Sequence, residues 1–172
     1  LYGLDRLSNY KDKVVLVEGA SDAQTLMYHN IPVIGLPSAS GWKEERDAEK
    51  FKDVDRIYVV IEPDSGGDAV KKWLQRSSIR HKVDLVYLVD GFKDPSEMWI
   101  ADPDKFRSRW EVSINNAVPW LDFAIADNEQ ERAESLACCE RIAVMPNILE
   151  EFIRLINKMN LVGEDTNAKI VY

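Results

Sequence analysis

Four short apolar runs constrain the fold of this chain more than any other feature of its sequence. They are, in chain order, VVLV at residues 14–17, VIGL at 33–36, RIYVVI at 56–61 and DLVYLV at 84–89. None of them alternates strictly between polar and apolar side chains, so each predicts a strand that is buried on both faces.

Helical patterns separate these predicted strands. Ala23 and Leu26 fall on one helix face after the first strand, and a helix is predicted from about Asp68 after the third. Buried strands that alternate with helices are typical of an α/β fold. We therefore predict a mostly parallel sheet flanked by helices, formed by a domain at residues 1–104.

The pattern changes after this domain. From Lys105 onward no strand pattern is evident until the last few residues, and apolar side chains recur at helical spacing instead. We predict a helical subdomain at residues 105–160 and a tail or linker at 161–172. Because the chain begins with Leu1 rather than Met, we expect it to be a piece of a longer protein.

The charge of the chain limits how it can contact nucleic acid. The formal net charge is −8, whereas proteins that bind nucleic acid by themselves usually present a basic surface. Any such contact is therefore expected to need metal ions, a local basic patch or a neighbouring domain.

Apolar segments and cysteines indicate the compartment. No run approaches the roughly 18 apolar residues of a membrane span, so we expect no membrane insertion. The only cysteines, Cys138 and Cys139, are adjacent within a helical pattern. We expect them to be buried or half-buried thiols in a reducing compartment, which favours a cytoplasmic location.

Acidic residues follow three of the four predicted strands. They are Glu18 and Asp22 after the first strand, Glu62 and Asp64 after the third, and Asp90, Asp94 and Glu97 after the fourth. The carboxyl ends of parallel strands lie along one edge of a sheet, so these carboxylates are expected to be close together. Such a group is relieved of its repulsion by a hard divalent cation. The pattern predicts a site for Mg²⁺ or Mn²⁺ that acts on phosphate groups.

Glycines stand beside two of these acids. Gly66 and Gly67 occupy a predicted helix start, where the backbone can approach a ligand closely and an anion is favoured. We predict that they bind phosphate together with Gly19, which follows the first strand. Acids at helix starts are also ordinary caps, and this structural alternative stays open for Asp22 and Asp68.

Tryptophan offers one weaker candidate for nucleic-acid contact. Five tryptophans are present, and most are expected to pack in the core. Trp42 follows a small polar turn at residues 37–41, and it is kept as a candidate for stacking on a base.

Three motifs carry a resemblance to a known domain. They are Glu18-Gly19, Glu62-Pro63-Asp64-Ser65-Gly66-Gly67 and Asp90-Gly91-Phe92-Lys93-Asp94-Pro95. In order and spacing they resemble the Toprim domain, which bacterial primases share with type IA and type II topoisomerases and some nucleases.

Further segments resemble one branch, the catalytic core of DnaG-type DNA primases. They are LYGLD at residues 1–5, NAVPWLDF at 116–123, ERA at 131–133 and the Met145-Pro146 pair before the last helix. The resemblance spans roughly residues 1–160. It implies template-directed synthesis of short RNA primers on single-stranded DNA from ribonucleoside triphosphates. It also implies a replicative helicase as a partner, contacted through regions outside this chain.

The resemblance assigns roles to the acids by position. Glu18 would act in acid/base or metal-organising work, and Asp64 would serve both as a metal ligand and in catalysis. The remaining members of the implied metal-binding cluster, which would take Mg²⁺ or Mn²⁺, are Glu62, Asp22, Asp90 and Asp94.

Two other interpretations stay open. Toprim nucleases and topoisomerases also act on phosphodiesters, so the chain is alternatively an enzyme of that kind. Glu62 stands where the family usually has Asp, and Ser96 where an acid is common. These departures favour the third interpretation, a non-catalytic Toprim module that binds DNA or a helicase.

Overall fold

The strands and helices follow the predicted alternation. The computed structural model describes residues 1–143 and 147–158, so the predicted tail at 161–172 and the Met145-Pro146 pair lie outside the described residues. The strands are β1 (Lys13–Glu18), β2 (Val33–Leu36), β3 (Arg56–Val60), β4 (Val83–Val86) and β5 (Val118–Pro119). The helices are α1 (Ala20–Tyr28), α2 (Glu44–Asp47), α3 (Ser65–Leu74), α4 (Pro95–Ala101), α5 (Phe106–Asn115), α6 (Trp120–Ala143) and α7 (Ile148–Lys158).

One sheet contains all the strands of the described residues, in the order β2-β1-β3-β4-β5. The β1–β2, β1–β3 and β3–β4 pairs are parallel, and β5 runs antiparallel to β4. The predicted mostly parallel sheet is confirmed. Because β1 and β3 are parallel neighbours, their carboxyl ends open at the same edge of the sheet.

Side chains of β1 alternate between the two faces of the sheet. Val14 and Leu16 belong to one buried core cluster, whereas Val15 and Val17 belong to a second cluster. Helix residues complete the two clusters: Val70 and Leu74 of α3 in the first, and Leu26 of α1, Met98 of α4 and Phe106 of α5 in the second. Helices therefore cover both faces, as the continuous apolar run predicted.

Two strand predictions need correction. The fourth strand, predicted at residues 84–89, ends at Val86, and the chain then enters a 3₁₀ turn, Val89–Gly91. The prediction that no strand follows Lys105 before the last few residues was wrong, because β5 pairs with β4. A strand of two residues is too short to show a period, and Pro119 fits there because β5 is an edge strand.

The cysteine prediction was also wrong. Cys138 and Cys139 are both exposed. They lie in α6, in which every residue from 129 to 139 is exposed. The apolar spacing that suggested burial is present in the sequence, but spacing alone does not determine whether a helix face is covered.

Two compact units make up the chain, Leu1–Ile125 and Ala126–Tyr172. The sheet, both core clusters and helices α1 to α5 belong to the first unit. The predicted domain boundary between residues 104 and 105 stays a prediction. None of the helices within the described ranges combines the length and the apolar character that crossing a membrane requires.

A carboxylate of α2 ties together two segments that are 33 residues apart in the chain. Glu44 accepts hydrogen bonds from Trp42 Nε1 at 2.9 Å, Ser77 Oγ at 2.6 Å, Ser78 N at 2.9 Å and Ser78 Oγ at 2.6 Å. Burial by itself would raise the pKa of Glu44, but these donors outweigh it and lower the pKa to about 2. The ionised carboxylate thus anchors α2 to the turn after α3.

We expect Glu44→Gln to lower the free energy of unfolding at pH 7 by about 1–2 kcal/mol, because charge-assisted hydrogen bonds are lost. The folded-state pKa is depressed, so the stabilisation is present above the ordinary value of 4.5 and is lost as the pH falls towards about 2. Urea unfolding at pH 7 and pH 3 measures this, and the gap between the two proteins should shrink at pH 3.

The exposed neighbour Glu45 provides the control for this measurement. Glu45→Gln should leave the free energy of unfolding within about 0.5 kcal/mol of the wild type at both pH values. A gap for Glu44→Gln that is equally large at pH 3 and pH 7 would contradict the assigned role of its charge.

Candidate active site

Three carboxylates lie beside the carboxyl ends of β1 and β3. Glu18 is the last residue of β1, Glu62 comes two residues after β3, and Asp64 is the N-cap of α3. A Cβ atom added at Gly66 would lie 2.9 Å from Glu18 Oε2 and 2.9 Å from Asp64 Oδ1. The parallel pairing of the two strands therefore brings these side chains into one group.

The ammonium group of Lys93 lies between two of the carboxylates. Its Nζ is 3.1 Å from Glu62 Oε2 and 3.3 Å from Asp64 Oδ2. The hydrogen bonds to Glu62 and then to Asp64 raise the pKa of Lys93, so its positive charge is retained. We call Glu18, Glu62, Asp64 and Lys93 the carboxylate site.

The pKa values of the two carboxylates that pair with Lys93 are shifted in opposite directions. Burial raises the pKa of Glu62 despite the opposing effect of Lys93, and the charges of Glu18 and Asp64 act in the same direction as burial. The backbone N–H of Gly66 lowers the pKa of Asp64, and Lys93 lowers it further. Asp64 is therefore the firmly ionised member, and Glu62 is the one more readily protonated.

Close packing explains the glycines at the start of α3. The N–H groups of Gly66 and Gly67 donate to Asp64 Oδ1 at 2.7 Å and 3.4 Å. A Cβ atom at Gly67 would lie only 2.0 Å from the carbonyl oxygen of Glu62, so a larger residue has no room there. The N–H of Gly19 donates to a carbonyl of β2 at 2.8 Å. All three N–H groups thus have acceptors inside the protein, and the assignment of phosphate to them stays a prediction.

Asp22 and Asp94 form a second acidic pair. Asp22 is buried, and its Oδ1 accepts hydrogen bonds from the backbone N–H of Ser96 at 3.1 Å and from its hydroxyl at 2.6 Å. Burial raises the pKa of Asp22, Ser96 opposes that shift, and the charge of Asp94 reinforces it. Asp94 is the N-cap of α4, where it accepts from the N–H of Glu97 at 2.8 Å. This pair links α1 to the start of α4.

Asp90 forms an ion pair outside the carboxylate site. Its Oδ2 is 3.1 Å from Nε of Arg109 on α5. The residue has a φ of 59°, in the left-handed region, which turns the chain out of the sheet after β4. The structure therefore pairs this predicted metal ligand with an arginine.

Three residues of these arrangements, Lys93, Ser96 and Arg109, were not among the predicted site residues. Lys93 is the one basic residue between Asp90 and Glu97, and a cation inside an acidic motif is the signal that would have indicated its role. Ser96 stands where an acid was expected, and it donates twice to Asp22 instead.

The donor chemistry of the carboxylate site fits a hard divalent cation. Carboxylate oxygens are the ligands that Mg²⁺ and Mn²⁺ prefer, and Lys93 already stands in for a cation between Glu62 and Asp64. Within residues 1–143 and 147–158, no three or more His, Cys, Asp or Glu side chains are arranged so that they could hold a metal ion. Glu62 and Asp64 would therefore hold such an ion only after Lys93 has moved away.

Comparison with known proteins gives matches among solved structures alone. No protein-family model matches the chain, and no curated protein sequence matches it. One similar structure is a bacteriophage T7 assembly of the lagging-strand DNA polymerase with primase domains. Over 65% of this chain and 58% of that one, the identity is 28% and the TM-score is 0.54.

Two further structures share the fold at lower identity. A DNA primase domain from Pseudomonas aeruginosa is 24% identical over 73% of this chain and 40% of its own length, with a TM-score of 0.55. A DnaG catalytic core is 20% identical over 96% of this chain and 58% of its own length, with a TM-score of 0.59. This chain thus spans between 40% and 58% of the length of these three matched chains. Its fold is similar to that of DnaG-type primase fragments, which confirms the predicted resemblance.

Proposed function

We propose that this chain is the Toprim-containing part of a DNA primase, which synthesises short RNA primers on single-stranded DNA from ribonucleoside triphosphates. The observation that carries the proposal is the group of Glu18, Glu62 and Asp64 at one sheet edge, in a fold similar to primase cores. The T7 assembly supports it, because that assembly contains primase domains together with an RNA/DNA hybrid and dTTP.

In this proposal each residue in and around the carboxylate site has a separate role. Glu62 and Asp64 would hold a Mg²⁺ or Mn²⁺ ion, which would neutralise the charge that develops on the triphosphate during nucleotidyl transfer. Glu18 accepts the proton of the attacking hydroxyl, since its carboxylate lies beside Asp64 at the same helix start. Asp22 and Asp94 hold the start of α4 next to α1, and so place Lys93, which precedes Asp94, over the site.

The net charge of the chain indicates that template binding needs a further, basic region. With a net charge of −8, this part does not attract DNA by its overall field. We therefore propose that a basic neighbouring region delivers most of the template, and that a replicative helicase is contacted through regions outside this chain.

A specific observation also favours a second candidate, a non-catalytic Toprim module. Lys93 engages both carboxylates that would hold an ion, so part of the negative charge of the site is compensated without one. In that case the domain would bind DNA or a helicase without catalysis. Metal binding decides between the two candidates.

We expect Lys93→Met to tighten Mn²⁺ binding by about tenfold, because the ion no longer has to displace an ammonium group from two carboxylates. Isothermal titration with Mn²⁺ measures the affinity of the wild type and of the variant. The double variant Glu62→Ala/Asp64→Ala should lose this binding.

Lys11→Met is the matched control, since Lys11 is an exposed lysine outside the carboxylate site. It should bind Mn²⁺ as tightly as the wild type does. If neither the wild type nor Lys93→Met binds Mn²⁺ at millimolar concentration, the catalytic proposal fails for this chain and the non-catalytic candidate stands.

Glu18→Gln should reduce primer synthesis by at least about a hundredfold while Mn²⁺ binding stays within about threefold of the wild type, because a general base is removed and the side chain keeps its shape. The full-length gene product is assayed on single-stranded DNA with ribonucleoside triphosphates and Mg²⁺ or Mn²⁺. Unchanged primer synthesis would refute the role of Glu18, and cleavage of the template instead of synthesis would favour a nuclease.

A further inference from the structure

Trp42 and Trp73 form a rigid stack beside the carboxylate site. Their ring centroids are 4.6 Å apart and the ring planes differ by 11°. Trp42 Nε1 donates to Glu44 at 2.9 Å, and Trp73 Nε1 donates to the carbonyl oxygen of Ala39 at 3.0 Å. Trp42 is buried, whereas Trp73 is half-buried, so part of the outer ring remains accessible in a fixed orientation.

A groove of about 480 Å³ opens beside this stack. The residues that matter for its chemistry are Ser40, Trp42, Lys72, Trp73, Gln75 and Arg76. We call it the stacking groove. Its volume exceeds what one base needs, and it combines an aromatic surface with cationic and polar groups, as sites for single-stranded nucleic acid do.

The two cations of the stacking groove lie at the surface, and Lys72, after Lys71, also lowers the pKa of Asp68. Lys72 and Arg76 are exposed, and neither side chain makes an ion pair or hydrogen bond within the described residues. The groove contains one acid, Glu44, whose oxygens already accept hydrogen bonds from Trp42, Ser77 and Ser78. On a chain with a net charge of −8, two neighbouring exposed cations form a local patch suited to phosphate.

The stacking groove and the carboxylate site are joined by two elements. Helix α3 follows its cap Asp64 and carries Trp73 next to its last residue, Leu74. The turn at residues 37–41 contacts both ends, since Ala39 bonds to Trp73 and lies 3.6 Å from the position of a Cβ at Gly66. A single strand would thus reach from one site to the other.

We infer that the stacking groove binds single-stranded nucleic acid, with a base stacked on Trp73 and neighbouring phosphates on Lys72 and Arg76. The inference extends the proposed function, because it places the strand that serves the carboxylate site on the outer side of α3. Stacking tolerates every base, so the groove binds without sequence preference.

Fluorescence anisotropy with a labelled twelve-nucleotide oligothymidylate tests this on the wild-type chain and on variants. Lys72→Glu/Arg76→Glu should weaken binding by at least about tenfold, and Lys72→Ala/Arg76→Ala should reduce the salt slope by about 1.4, the value for two lost phosphate contacts on a single strand. Trp73→Leu should weaken binding by about tenfold, whereas Trp73→Phe should restore most of it because an aromatic face is kept.

Arg6→Glu/Lys11→Glu is the matched control, because it reverses two exposed cations of the lead-in segment. It should change the affinity by less than about threefold, since the overall charge contributes little beyond a Debye length. Absence of binding by the wild type, or binding by Lys72→Glu/Arg76→Glu as tight as that of the control, would overturn the inference. Mn²⁺ titration of the same variants should match the wild type, so failure of the stacking groove is distinguishable from failure of the carboxylate site.

Discussion

Burial of β1 on both faces is the constraint on which the rest of the structure depends. Val14 and Leu16 enter one core cluster while Val15 and Val17 enter the other, so a shift of one residue would exchange the two sets of contacts. The strand is also paired on both sides, with β2 and with β3. Its last residue, Glu18, is consequently delivered to one defined point at the edge of the sheet.

Electrostatic interactions determine how the side chains at that edge are paired. Three carboxylates close together repel one another, and the fold compensates them with Lys93 from the loop before α4. Lys93 offsets part of the negative charge, and the carboxylate oxygens are the donors that a hard cation prefers. In the proposed function, one divalent ion would replace the ammonium group, and the contacts of Asp22 with Ser96 would help to set the position of α4 next to the site.

The same edge extends outward along α3. Asp64 caps the helix, and Trp73 stands near its other end, locked by its bond to Ala39. Helix α3 therefore has the carboxylate site at its start and the stacking groove near its end. In the proposed function, this local patch would hold the strand and the carboxylate site would carry out the nucleotidyl transfer, although the overall charge is negative.

Much of the fold was predictable because the relevant signals are local. Continuous apolar runs identified β1 and β2 almost residue for residue, and helical spacing identified the layers that cover the sheet. The short β5 was missed because two residues carry no period, and its pairing with β4 is a contact across more than thirty residues of sequence. The exposure of Cys138 and Cys139 was missed because spacing describes a face and not its covering.

For the site, the sequence by itself determined which acids follow the strands, and the parallel order of the strands made Glu18, Glu62 and Asp64 neighbours. Only the tertiary structure decided the partners: Lys93 for Glu62 and Asp64, Ser96 for Asp22, and Arg109 for Asp90. The physical reason is that these features depend on interactions of different range along the sequence. Strand burial and helix caps depend on residues a few positions apart, whereas charge pairing depends on distances through space that the packing of separate elements sets.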